Sequence, residues 1–189
     1  MSENRGIFSL EEFYDLQVSG EITNISDPFR YVNSLATTGG PAHGYFGAGG
    51  GPSSTVDRVD YSNDTATASA RGPLSSNKAA TASTSSTSHG YFAGGSVPGP
   101  VSTVDRIDYS NDAATATPKG PITSARYLIA ATGNASYGYV VGGITESTVD
   151  RIDYSNDAAT ASPKGKLSYS AFYLGATGNQ SYGWVGGGT

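Results

Sequence analysis

Two histidines, a recurring set of acidic side chains and thirteen tyrosines are the residues through which this chain could do chemistry. His43 and His89 each precede Gly-Tyr-Phe, and Tyr137 and Tyr182 stand at the same place in later copies of that segment. A position that alternates with tyrosine reads as a packing or surface element, and no serine or carboxylate joins either histidine in a triad arrangement. Asp57, Asp60, Asn63 and Asp64 suggest a cation site, but their spacing lacks the alternating ligands, central glycine and closing glutamate of a calcium loop. Glycine runs such as Gly47-Ala48-Gly49-Gly50-Gly51 lack the Lys-Ser/Thr of a phosphate loop. The expectation is a protein that is not an enzyme, with no catalytic residue, no metal and no cofactor. Tyrosines on a weakly charged surface would suit sugars, since an aromatic face with a hydroxyl fits an amphipathic ligand. Most of them recur at fixed strand positions, which favours packing.

The elements that hold these residues are set by repetition. STVDRVDYSND begins at Ser54 and STVDRIDYSND at Ser102 and Ser147, so Val56, Val104 and Val149 follow at 48 and then 45 residues. Glycine pairs recur in nearly the same register at Gly49-Gly50, Gly94-Gly95, Gly142-Gly143 and Gly187-Gly188. Such self-similarity marks a repeat architecture, in which each unit buries its apolar surface on its neighbour. The third copy predicts four strands: Tyr127–Thr132, Tyr137–Val141, Ser147–Tyr154 and Ala158–Ser162, the last closed by Pro163-Lys164-Gly165. Within the third strand Val56, Arg58 and Asp60 share one face, and Asp57, Val59 and Tyr61 the other. Arg58 with Asp60, Arg106 with Asp108 and Arg151 with Asp153 are therefore expected either to pair in a ladder of ions or to form a solvated stripe. Four short antiparallel strands in about 45 residues make one propeller blade.

With the strand ending in a glycine pair (YGYVVGG, GYFAGG), the variable loop, STVDRIDYSND and a Gly-Pro-Leu or Gly-Pro-Ile turn, the chain resembles the kelch class of β-propeller repeats over about four-fifths of its length. The tryptophan usual after the hairpin of that class is absent. The one tryptophan, Trp184, instead stands in the glycine-pair strand at the position of Tyr45, Tyr91 and Tyr139. GYFAGG followed by STVDRIDYSND is also similar to repeats in virion proteins of marine bacteriophages, and GIFSLEEFYDLQVSGE to a segment near the start of phage structural proteins. The resemblance implies an all-β fold of kelch-like blades, a virion location, other virion proteins as partners and a host-surface glycan as a candidate ligand.

Residues 1–35 stand apart as an adaptor segment before the repeats at 36–189. Ser9-Leu10-Glu11-Glu12 is a capping box, with Phe8 and Phe13 placed as a hydrophobic staple, and predicts a short helix that Gly20 ends. Phe8, Leu10, Phe13, Tyr14 and Leu16 are the expected partner-docking residues, because a helix this short needs a surface to pack on; capping an open blade of its own domain is the alternative. A net charge of −5 with scattered Lys and Arg argues against nucleic acid. No run approaches the roughly 20 apolar residues of a membrane span. The strand count predicts about three and a half four-stranded blades, fewer than the roughly 4–8 that close a propeller. Either further repeats follow or other chains complete the array, so a homo-oligomer or a longer array is expected.

Overall fold

The computed structural model describes residues 36–40, 42–48 and 51–188. All of them belong to one unit of the chain, Tyr31–Thr189. The first sheet is an antiparallel meander of β1 (Ala36–Gly39), β2 (His43–Gly47), β3 (Val56–Asp60) and β4 (Ser69–Ala70). The second holds β5 (Ala82–Ser85), β6 (His89–Ala93), β9 (Val104–Asp108) and β10 (Thr117–Lys119). Between β6 and β9 the variable loop folds into a small hairpin, β7 (Ser96–Val97) with β8 (Gly99–Pro100). The third sheet holds β11 (Ala130–Gly133), β12 (Tyr137–Val141), β13 (Thr148–Asp153) and β14 (Ser162–Lys166). The fourth has two strands, β15 (Leu174–Gly178) and β16 (Gly183–Gly187). The described chain is therefore all-β: three four-stranded antiparallel sheets and one of two strands, as the strand count required, with the small β7–β8 hairpin besides. The adaptor segment with its expected capped helix lies outside the described residues.

Equivalent strands keep one register. Gly44 faces Val59, Gly90 faces Ile107 and Gly138 faces Ile152, each in the second-to-third strand pairing. In the third copy the boundaries differ from expectation at the first strand, which begins at Ala130 rather than Tyr127, and at the fourth, which begins at Ser162 rather than Ala158. Asp153 caps a 3₁₀ turn at Tyr154–Asn156, and Ala159 then donates to Asn156. Ala161 donates back to Pro121, so these residues are used in reaching the neighbouring connection. Pro163-Lys164-Gly165 consequently lie inside β14, where proline is tolerated because the strand is at a sheet edge.

The first strands of successive sheets lie side by side. Thr38 Oγ1 donates to the Thr84 carbonyl at 2.9 Å and Thr84 Oγ1 to the Thr132 carbonyl at 3.2 Å. The connections climb in parallel: Leu128 donates to Ala80, and Tyr173 donates to Leu128. Ala80, Leu128 and Tyr173 share a left-handed backbone, with φ of 54°, 56° and 58°, an uncommon state for residues with a side chain. The glycine pair is required where it stands. Gly94 has φ of 60°, and a Cβ there would sit 2.6 Å from the Arg126 carbonyl oxygen.

Apolar cores lie between sheets rather than within them. Tyr45, Val56 and Leu74 meet Phe92 and Ile107 between the first and second. Tyr91, Val104 and Ile122 meet Val140 and Ile152 between the second and third. Alternation explains how one strand serves both cores: Ile107 faces back and Val104 faces forward.

The first two connections between sheets each bury a cation. Lys78 Nζ lies 3.0 Å from Asp105 Oδ2 with both side chains fully buried, and Arg126 Nη2 lies 2.9 Å from Asp150 Oδ2. The lysine contact is out of line for a hydrogen bond, so its attraction is chiefly Coulombic. The carboxylates are completed by Ser75, whose amide and hydroxyl both donate to Asp105, and by Thr123, which does the same to Asp150. Removing one member strands a buried charge. Asp105→Ala is expected to destabilise the folded unit by about 3–5 kcal/mol, read from the shift of a urea unfolding curve.

Candidate functional site

The residues that looked fit for chemistry converge on the seams between sheets. At the first seam, Asp112 of the second sheet accepts from two groups of the first and lies near a third, a cation. Tyr45 Oη donates at 2.9 Å, Arg58 Nη1 at 2.7 Å, and Arg71 Nε stands 3.6 Å away. At the second seam Asp157 of the third sheet accepts from Tyr91 Oη at 3.0 Å and Arg106 Nη1 at 2.8 Å, with Lys119 Nζ at 3.3 Å. An aromatic pair accompanies each carboxylate. Tyr109 stacks on Tyr45 at 5.0 Å between centroids and Tyr154 on Tyr91 at 4.8 Å. The hydroxyls of Tyr109 and Tyr154 then reach across to Thr38 and Thr84 at 3.2 and 2.7 Å. Tyrosine and aspartate of one D-Y-S-N-D turn thus clasp the preceding sheet in a single directional lock.

Local structure aims this clasp. The aspartate that opens the turn, Asp108 or Asp153, accepts from the amide and hydroxyl of the serine two residues on. Those bonds hold its carboxyl below the usual range. The turn that follows delivers Asp112 or Asp157 to the seam. Asp60, Asp108 and Asp153 are therefore turn formers and do not pair with Arg58, Arg106 and Arg151. Neither the ladder nor the solvated stripe forms: Arg58 and Arg106 reach the neighbouring sheet, and Arg151 packs on Tyr137.

The electrostatics follow from burial. Burial alone would raise Asp157, but hydrogen bonds from Arg106, Tyr91 and Lys119 outweigh it and hold its pKa below the usual value. Burial, reinforced by Asp112, pushes Tyr45 up to about 12, and burial pushes Tyr154 up to about 12. His89 is lowered by burial and by nearby Arg106, and its Nδ1 meets Ser88 Oγ at 2.8 Å. His43 lies on the tilted face of Tyr45. Neither ring contacts a carboxylate, and among the described residues no group of three His, Cys, Asp or Glu could hold a metal ion.

Among the described residues the lock is closed twice and open at both ends. In the first sheet Tyr61 is 56% exposed and Asp64 is exposed, with no inter-sheet partner among the described residues. In the third sheet Arg151 lies over the Tyr137 ring at 4.2 Å instead of meeting an aspartate. A cavity of about 280 Å³ opens beside Tyr139, lined also by Thr132, Gly133, Tyr182, Gly183 and Val185. A more polar hollow of about 390 Å³ gathers Thr37, Ser83 and Ser85 with Phe46 and Tyr61 at the rim of the first strands. The docking residues Phe8, Leu10, Phe13, Tyr14 and Leu16 lie outside the described residues.

Sequence reasoning placed Tyr45, Tyr91, Tyr109 and Tyr154 correctly as packing groups, but Tyr61 is exposed. The same reasoning missed Asp112 and Asp157 as inter-sheet acceptors, and Lys78 and Arg126 as buried cations. The available signal was recurrence: Asp64, Asp112 and Asp157 close the same tripeptide in every copy. No protein-family model matches the chain, and no curated protein matches it in sequence.

The raised tyrosines make the seams alkali-sensitive. Their unfolded value is about 10, so their contribution is complete below that pH and is lost as the pH rises through about 12. Tyrosinate absorbance and β circular dichroism should therefore change together in that window. Asp157 has the opposite sign: its contribution holds above about pH 4 and is lost as the pH falls through its lowered folded value. Asp157→Ala, which leaves the Tyr91 hydroxyl and Arg106 without their acceptor, should cost about 1–3 kcal/mol in the same unfolding assay.

Proposed function

We propose that this chain is a non-enzymatic structural component of a bacteriophage virion. In this reading residues 1–35 anchor it through Phe8, Leu10, Phe13, Tyr14 and Leu16, and kelch-like propeller blades face outward to contact the host surface. The observation that carries it is the repeated lock. One set of tyrosine, arginine and aspartate contacts joins sheet to sheet, and among the described residues the equivalent groups at the two ends make no such inter-sheet contact. A module whose ends repeat its interior contacts suits assembly with other chains, and heterologous contacts of this kind build rings or arrays. The resemblance of GYFAGG and STVDRIDYSND to virion repeats supplies the setting. Exposed loops after the second strands, such as Gly51–Ser54 and the β7–β8 hairpin, offer variable surface on a rigid frame.

A second reading, an adhesive or carbohydrate-binding propeller outside any virion, is favoured by the hydroxyl-lined hollow at Thr37, Ser83 and Ser85, where Phe46 and Tyr61 supply aromatic faces. Mass spectrometry of purified particles separates the two: the chain is expected in them, and its absence would sink the virion reading. Deleting Met1–Gly20 should release the protein from particles and leave the β circular dichroism unchanged; loss of that signal would assign the segment to capping the sheets. Binding on a glycan array, weakened by Tyr61→Ala, is the outcome expected of the adhesive reading.

A further inference from the structure

We propose that the cavity beside Tyr139 is an acceptor site for the β3–β4 hairpin of a second copy of this chain, whose Tyr61 and Asp64 close a third lock there. This stands apart from the virion reading, since it concerns the isolated chain.

The argument is equivalence, position by position. Tyr139 occupies the place of Tyr45 and Tyr91, each of which carries a stacked tyrosine from the next D-Y-S-N-D turn. Thr132 occupies the place of Thr38 and Thr84, whose hydroxyls meet that incoming phenol. Gly183 corresponds to Gly90 and Gly138, where a Cβ would meet the Tyr109 or Tyr154 hydroxyl at 3.0 and 2.8 Å. The cavity beside Tyr139 is thus the shape left where a third strand and its tyrosine would lie.

Charge and backbone agree with that occupant. Arg151 and Lys164 stand where Arg106 and Lys119 grip Asp157, yet no carboxylate meets them among the described residues. Among the described residues the outer edge of β16 is unpaired, whereas β2, β6 and β12 all pair with a third strand. By the register of β2 on β3, Gly183 would face Val59, and Trp184 would face Arg58. The donor is the first-sheet hairpin because it has least to lose. Its Tyr61 and Asp64 make no inter-sheet bond among the described residues, and β4 is two exposed residues long. Exchange trades the pairing of β3 on β2 and the Arg58 and Arg71 contacts to Asp112 for the same pairing on β16 and a lock that engages Tyr61 and Asp64 as well. Such swapping of an identical element is a low-cost route to association.

Trp184, the single tryptophan, lies on the acceptor strand and is 54% exposed, so its emission reports the docking. Sedimentation of the full chain over a range of concentrations should show a reversible dimer, with Trp184 emission moving to shorter wavelength as it forms. A synthetic peptide spanning Ser54–Gly72 should produce the same shift and dissociate the dimer; the peptide carrying Tyr61→Ser and Asp64→Ser should do neither. Arg151→Asp and Asp64→Arg should each weaken the dimer about tenfold or more, as expected for a buried charge pair, and the doubly substituted chain should recover most of the loss. A chain that stays monomeric at every concentration overturns the proposal, even if the peptide binds. So does a dimer indifferent to the peptide, or a double substitution no tighter than the singles.

Discussion

The seams from the first sheet to the second and from the second to the third each turn on one carboxylate that belongs to one sheet and is satisfied by the previous one. Asp112 and Asp157 gather a tyrosine hydroxyl and two cations from across the seam, in sites where water is largely excluded. A buried carboxylate is costly unless its lone pairs are filled, so the sheets are held in the one relative position that fills them. The stacked tyrosine pairs and the threonine hydroxyls on the first strands are fixed by the same placement. Packing alone would allow sliding, because the seam cores consist largely of alanine, valine and isoleucine with little shape to key them. The directional bonds supply the register that the apolar surface lacks.

The chain uses few charges, and among the described residues it places many of them where they specify geometry. Lys78 with Asp105 and Arg126 with Asp150 tie the first two connections to the sheets they enter, while Arg58 and Arg106 tie the first sheet to the second and the second to the third. In the fourth repeat the position of Lys78 and Arg126 is Ala171, fully buried against Leu174. The large exposed apolar side chains among the described residues, Tyr61, Tyr169, Tyr182 and Trp184, lie in the first sheet or in the terminal region that ends in β16. The interior seams therefore account for their aromatic residues, and the ends of the array carry the exposed ones. Exposed aromatic groups clustered in this way are a mark of contact surface.

The repeat of STVDRIDYSND, the glycine pairs and the strand alternation were enough to read an all-β chain of three four-stranded sheets and a two-stranded one. These features are local: a left-handed glycine, a capped turn and a two-residue period depend on neighbours in the chain. The second strand Tyr137–Val141 was legible to the residue for that reason. The fourth strand was not, because its start at Ser162 depends on Ala161 bonding to Pro121 forty residues away.

The sequence by itself thus determined the elements and their period, and it showed which positions recur. It did not determine which recurring charge meets which. Arg58 lies two residues from Asp60 and 54 from Asp112, yet it bonds the distant one. Asp60 is already taken by the amide and hydroxyl of Ser62, and the side chain of Arg58 points across the seam. Only the tertiary structure decided that pairing, because a contact between sheets depends on how two whole sheets face each other. The same holds for the cavity beside Tyr139, which exists only where two sheets meet.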